Sequence, residues 1–267
     1  MERAEMINEF YTGYNEDFRL FKSRHGQLEY RTTMHFIHRC LPQTGTILEI
    51  GAGTGRYSIA LAREGHRVTA VELAARNLEL LRRNSEGLGN LTALQEDAVD
   101  LRSLADNSFD LTLILGPMYH LYDRADQLAA LREAVRVTKP GGYLLTAFLS
   151  VHAILYDNYL RGNLSDGLAE NFTGDYAVRH FQEQLFTGFN VEEFEALFQE
   201  LPVRQLSVAA ADGILELAES RSDFQMSDEE FEAYASYHLF HCEKRELLGS
   251  SSHLLHLCRK EQPVSAE

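Results

Sequence analysis

Short apolar runs separated by amphipathic stretches set the rhythm of the first 150 residues. Thr46 to Ile50 (T-I-L-E-I) is apolar and β-branched apart from Glu49, with Pro42 and Gly45 upstream, and reads as a buried strand. Arg67 to Glu72, Leu91 to Gln95, Phe109 to Leu115 and Tyr143 to Leu149 repeat the signal. The Phe109 run is unbroken enough to be central and covered on both faces. Between the runs, apolar positions recur at helical spacing. They predict helices over Gln27–Leu41, ended by Pro42, from Arg56 to about Glu64, over Ala74–Glu86, and over Arg124–Thr138. Gly65, Gly87 and Gly89 serve as stops, and Lys139-Pro140-Gly141-Gly142 reads as a turn. Strand and helix in close alternation predict an α/β fold with a parallel sheet and helices on both faces.

Beyond Ser150 the rhythm breaks. Val151 to Ala177 reads as irregular or short-helical. Asn190 to Glu200 is a helix with Asn190 as N-cap and Glu193 at the capping-box position. Val203 to Ala210 is a strand, Ser227 to Leu248 a long helix with a boxed start, and Ser252 to Arg259 the final strand.

The loop after the first strand carries the chemistry. Glu49-Ile50-Gly51-Ala52-Gly53-Thr54-Gly55 joins a strand to a helix start, and glycines there let backbone N–H groups approach an anionic or polar ligand. A dinucleotide fingerprint needs a glycine where Arg56 stands. Glu72 ends the second strand seventeen residues beyond Gly55, placed to accept both ribose hydroxyls of a nucleoside, although a solvated strand-end acid has the same appearance. Asp97 ends the third strand, where an acid can take adenine amino hydrogens and a turn residue is the plainer alternative.

The E-x-G-x-G-x-G pattern, Glu72, Asp97, the F-D-L-T-L-I-L-G-P-M-Y-H segment and the L-R-E-A-V-R-V-T-K-P-G-G-Y-L-L segment occur in one order over residues 46–149. That order resembles the class I S-adenosylmethionine-dependent methyltransferases. The resemblance implies a doubly wound, seven-stranded, Rossmann-like sheet whose last strand is antiparallel, capped by N-terminal helices and by C-terminal helical insertions. It implies one domain over 1–267, with a lid over 1–45, a cofactor core over 46–149 and an acceptor-site cap over 150–267. It further implies that S-adenosyl-L-methionine is held by Glu49, Gly51, Ala52, Gly53, Gly55, Glu72, Leu73, Asp97, Ala98, Leu115 and Gly116. Arg31, on an upstream helix, is a candidate for the cofactor carboxylate, an ordinary surface arginine being the alternative.

Gly116 stands where many amino-directed DNA and protein enzymes of this kind carry Asn or Asp, which argues against exocyclic-amine chemistry on nucleobases. The resemblance is to the broad group with small-molecule members, and the acceptor it implies is a small nucleophile reacting through N, O or S. A protein or RNA acceptor, or a non-catalytic cofactor-binding protein, is the alternative. Tyr119 and His120 follow the central strand and are the candidate catalytic residues, with His120 either a base or a packing residue.

Composition narrows the partners. Residues 1–150 hold 19 acids and 17 Lys/Arg, whereas residues 151–267 hold 21 acids and 8 Lys/Arg. An acidic half repels phosphate backbones, which argues against nucleic acid; it is either a solvated surface or a lid attracting a cationic acceptor. No apolar run approaches the roughly 18–20 residues of a membrane span. The charged N-terminus lacks a signal-peptide core, and three scattered cysteines form no C-x-x-C, so the expected compartment is the cytoplasm. His253 and His256 point to opposite faces of a strand, and the other C-terminal histidines suggest packing, so no metal is implied. The sequence leaves the acceptor and the oligomeric state open.

Overall fold

The computed structural model describes residues 3–14, 19–41, 43–160, 162–181 and 185–262. The helix stop expected at Pro42 lies outside them. In chain order the elements are α1 (Arg3–Gly13), α2 (Arg19–Lys22), α3 (Arg24–Cys40), β1 (Thr46–Ile50), α4 (Arg56–Arg63), β2 (Arg67–Val71), α5 (Ala75–Asn84), β3 (Leu91–Leu94) and β4 (Phe109–Ile114). A 3-10 turn over Pro117–His120 precedes α6 (Arg124–Val137) and β5 (Thr138–Ser150). The remainder comprises α7 (Val151–Tyr159), α8 (Leu164–Asn171), β6 (Gly188–Phe189), α9 (Val191–Phe198), β7 (Val203–Ala210), α10 (Leu215–Glu219), α11 (Asp228–His241), α12 (Arg245–Leu248) and β8 (His253–Lys260).

The main path of the sheet runs β3-β2-β1-β4-β5-β8-β7. The first five strands are parallel, β8 lies antiparallel between β5 and β7, and this is the expected doubly wound topology. The strand count is corrected from seven to eight, because Gly188–Phe189 adds a two-residue parallel strand to the end of β5. Two sequence expectations need the same treatment. Lys139–Gly142 is not a separate turn but a bulge inside β5: Phe109 pairs with Thr138 and Leu111 with Tyr143, so the intervening residues loop out without ending the ladder. The long C-terminal helix is two, broken between His241 and Arg245. Its capping box is present, Ser227 accepting from the Glu230 N–H and Glu230 from the Ser227 N–H.

Beneath β5 and β8 the core is aromatic. Phe148 stacks on Phe194 with ring centroids 3.9 Å apart, and Phe198 stacks on His256 at the same separation. Burial drives the His256 imidazole down to about 3, so it sits there as a neutral ring. His256 therefore faces the core, and His253, three residues earlier, faces the other way. Among the described residues no helix is long and apolar enough to cross a membrane.

Candidate active site

The carboxyl ends of the parallel strands and the start of the antiparallel β8 meet at one sheet edge, where open α/β sheets bind ligands. A cavity of about 420 Å³ runs along it. At one end it is lined by Gly51, Gly53, Glu72, Leu73, Asp97 and Ala98, and at its middle by Leu115, Gly116, Tyr119 and His120. Its other end reaches Asp157, Glu216, Ser252 and His253.

Gly51 is required by close packing: a Cβ there would lie 2.5 Å from the Pro117 side chain. Gly53 adopts φ +55°, and its N–H donates to Glu72 Oε2 at 2.7 Å. The Ala74 N–H donates to Glu72 Oε1, also at 2.7 Å. Both Glu72 oxygens are thus fixed by backbone, and a carboxylate oxygen can accept more than one hydrogen bond.

Glu49 is fully buried and opens instead onto a smaller adjoining cavity with Arg19, Gly51, Ala52, Gly53 and Leu115. Burial pushes its carboxyl up to about 8, against the Ser58 hydroxyl that donates to it, with the charge of Glu72 adding to the rise. A buried acid raised in this way is suited to a ligand that brings a cation.

The structure corrects two of the expected cofactor residues. Arg31 does not reach either cavity. It faces α11, pairing with Glu232 through two hydrogen bonds of 2.7 Å and lying over the Phe231 ring. Arg19 lines both cavities instead, and it makes a two-pronged bond to Glu29 at 2.7 and 2.9 Å. Gly55 lines neither cavity; the space beside it is filled by Leu81 and Ile59.

Helix α1 contributes residues that the sequence reading did not assign. Ile7, Phe10 and Tyr11 line the cavity, as does Tyr14 just beyond the helix, and Arg3 bonds to Asp97 at 2.5 Å. The only sign in the sequence was the aromatic density of residues 10–21. Of the aromatic residues between Tyr156 and Phe189, only Phe186 lines the cavity, packing edge-on against Phe10.

His120 is held at both nitrogens. Nδ1 donates to the Leu185 carbonyl at 2.7 Å, which leaves Nε2 to accept from the Tyr11 hydroxyl at 3.2 Å. Burial takes its pKa down to about 4. It is a neutral ring near pH 7 and a weak proton acceptor. Tyr119 is buried against the cavity wall, and burial, then the charge of Glu29, lifts its phenol well above the ordinary value.

Residues 48–146 match the family model described as a methyltransferase domain. The protein YqeM of Bacillus subtilis, named as a methyltransferase, is 31% identical over 111 residues, which cover 41% of this chain and 44% of that protein. A demethylmenaquinone methyltransferase of Tropheryma whipplei is 30% identical over 159 residues, 58% of this chain and 64% of that one. The chain thus spans less than half of the first relative and under two thirds of the second. A crystal structure of an S-adenosylmethionine-dependent methyltransferase from Thermotoga maritima, described as a possible histamine N-methyltransferase, superposes with a TM-score of 0.62. It shares 18% identity and covers 97% of this chain and all of that one, which is a likeness of fold. With the glycine loop, the two strand-end acids and the doubly wound sheet in place, residues 48–146 of this chain are a methyltransferase domain, set in a sheet with the fold of the S-adenosylmethionine-dependent methyltransferases.

Proposed function

We propose that the protein transfers a methyl group from S-adenosylmethionine to the nitrogen, oxygen or sulfur of a small molecule. The observation that carries this reading is the single cavity extending from Asp97 past the central strand to Ser252 and His253, beyond the residues suited to the cofactor. Gly51 and Gly53 would lie along the cofactor backbone, Glu72 would take the ribose hydroxyls, and Asp97 and Ala98 the adenine. Glu49 would answer the methionine ammonium, with Leu115 and Gly116 beside the methionine chain. When bound, the cofactor supplies a methyl group already made electrophilic by its sulfonium. The chain's own tasks are alignment, exclusion of water and removal of a proton.

A cavity partly closed by α1 suits a small acceptor, and the Tropheryma whipplei relative is named for one. Asp157 and Glu216 at the acceptor end disfavour an anionic acceptor and favour a neutral or cationic one. Incubation with methyl-labelled cofactor and a panel of amines, phenols and thiols, alongside peptide and RNA, tests the reading. Label is expected in a small molecule. Label found only in peptide or RNA would refute the acceptor class, and cofactor binding without any transfer would mark a non-catalytic protein.

Glu49 provides a separate check. In the free protein its carboxyl, raised to about 8, is mostly protonated at pH 7. A cofactor cation beside it favours the ionised form, so binding is expected to release nearly one proton and to tighten as pH rises towards 8. Calorimetry in buffers of different ionisation enthalpy reads this directly; no proton release would remove Glu49 from the methionine end. The sign for folding is opposite. A raised folded-state pKa stabilises the ligand-free protein fully below the unfolded value of 4.5, and that contribution is lost as pH climbs through about 8.

A further inference from the structure

Two buried acids and a histidine converge at the acceptor end, where β8 begins. Asp212, just past the end of β7, is wholly buried. It accepts from the Ser251 hydroxyl (2.6 Å), the Ser252 N–H (3.0 Å), the His253 N–H (3.2 Å) and His253 Nδ1 (2.7 Å). Glu29 of α3 stands 3.8 Å from the same Nδ1 and is itself gripped by Arg19 of α2. The oxygens of both acids are engaged by protein donors, so the cluster is an ion-pair network built around one imidazole.

With Nδ1 committed to Asp212, Nε2 is the nitrogen left to the cavity, and no protein partner is recorded for it among the described residues. His253 also borders a small void shared with Leu115 and Tyr119, which places it beside the carboxyl end of the central strand. Its ring lies 6.0 Å from that of Tyr119. This is the arrangement of an oriented proton acceptor: one ring nitrogen fixed by a buried carboxylate, the other left without a protein partner among the described residues, on a side chain that lines the cavity. His120, with both nitrogens bonded and a pKa near 4, lacks it.

We propose that His253, oriented by Asp212, takes the proton of the acceptor during methyl transfer. The inference rests on the methyl-transfer reading above. The acceptor heteroatom forms its bond to the methyl carbon while its proton passes to Nε2. The methyl–sulfur bond breaks with its electron pair left on sulfur, and the imidazolium returns the proton to solvent. The charges around the ring set its working range. Burial would depress it, but Glu29, Asp212 and the hydrogen bond to Asp212 outweigh burial and the repulsion of Arg19, raising it to about 9. Other titratable groups at this end are Tyr119 on the 3-10 turn, Asp157 of α7 (bonded to Ser252), Glu216 of α10 and His25 of α3 (paired with Glu219). A sulfonium in the same cavity would add one positive charge and lower the affinity of the imidazole for its proton, so the fraction of molecules with Nε2 unprotonated rises when the methyl donor is present.

S-adenosylmethionine and S-adenosylhomocysteine differ by that methyl and that charge, so they test the placement without any acceptor. Histidine-labelled full-length protein is titrated by NMR with each compound bound, the His253 resonance being assigned from H253Q. The imidazole is expected to titrate lower with S-adenosylmethionine than with S-adenosylhomocysteine, by roughly one pH unit for a unit charge in the same partly screened cavity. Equal titration in both complexes would overturn the proposal. Binding of neither compound would instead refute the methyl-transfer reading itself. If H253Q does not fold, S252A perturbs the neighbouring resonance and supplies the assignment. With an acceptor from the panel, H253Q is expected to lower kcat about 10²–10⁴-fold and to flatten the pH profile while leaving S-adenosylhomocysteine affinity unchanged. Retention of both rate and profile would also overturn the assignment.

Discussion

Gly53→Val is expected to abolish cofactor binding while the sheet stays folded. Gly53 holds φ +55°, a conformation that costs a β-branched residue about 1–3 kcal/mol. The substitution would push the loop away from that geometry. The loop is held through the Gly53 N–H to Glu72, so the displacement breaks the arrangement that positions the ribose acid. Gly53 also lines both cavities, and a valine side chain would compete for the same volume. Calorimetry with S-adenosylhomocysteine, paired with a thermal melt, separates lost binding from lost fold. Unaltered affinity would reduce the glycine loop to a structural turn.

Glu72→Ala carries the second largest expected effect. The carboxylate is nearly buried and accepts two backbone N–H groups, those of Gly53 and Ala74, in addition to the hydroxyls proposed for it. Removing it leaves those donors without their acceptor and takes away a charge-assisted contact of about 1.5–3 kcal/mol. Affinity should fall by about 10–100-fold. Glu72→Gln keeps one carbonyl oxygen but replaces the second acceptor with a donor, so a smaller loss is expected. Equal affinity across the wild type and both variants would rule out the ribose assignment.

Much of the cofactor end can be read from the sequence because its chemistry sits next to the features that reveal the strands. Glu49 lies inside an apolar run, Glu72 closes another, and the glycines fall directly after β1. A local pattern therefore identifies both the element and the residues that line the cavities. The acceptor end follows a different logic. Asp212 and His253 are separated by the whole of α10, α11 and α12, and they meet only because β8 runs back between β5 and β7. In a parallel strand the ligand-facing residue comes last; in β8 it comes first, which is why the histidine pair near residue 253 reads as surface or core when taken alone. Arg31 failed for a related reason. Its helix does approach the site, but the face bearing Arg31 turns to Glu232, and Arg19 on the short preceding helix stands at the cavity instead. The bulge in β5 and the break after His241 depend on tertiary pairing, which leaves no periodic trace.

The roof of the cavity has a thermodynamic consequence. Helix α1 buries only Ile7, yet it supplies Phe10 and Tyr11 to the wall, with Tyr14 just past its end, and tethers itself through Arg3 to Asp97 and Tyr11 to His120. Besides its contact with α5, where Asn8 accepts from the Ala75 N–H, part of its docking free energy comes from the rim of the very site that it completes. The site is whole only when the helix is seated, so any measured affinity is the affinity of the assembled pocket multiplied by the seated fraction. Substitutions on α1 that touch no ligand will therefore register as changes in ligand affinity, and the same contacts make a bound ligand part of what keeps the first turns of the chain folded.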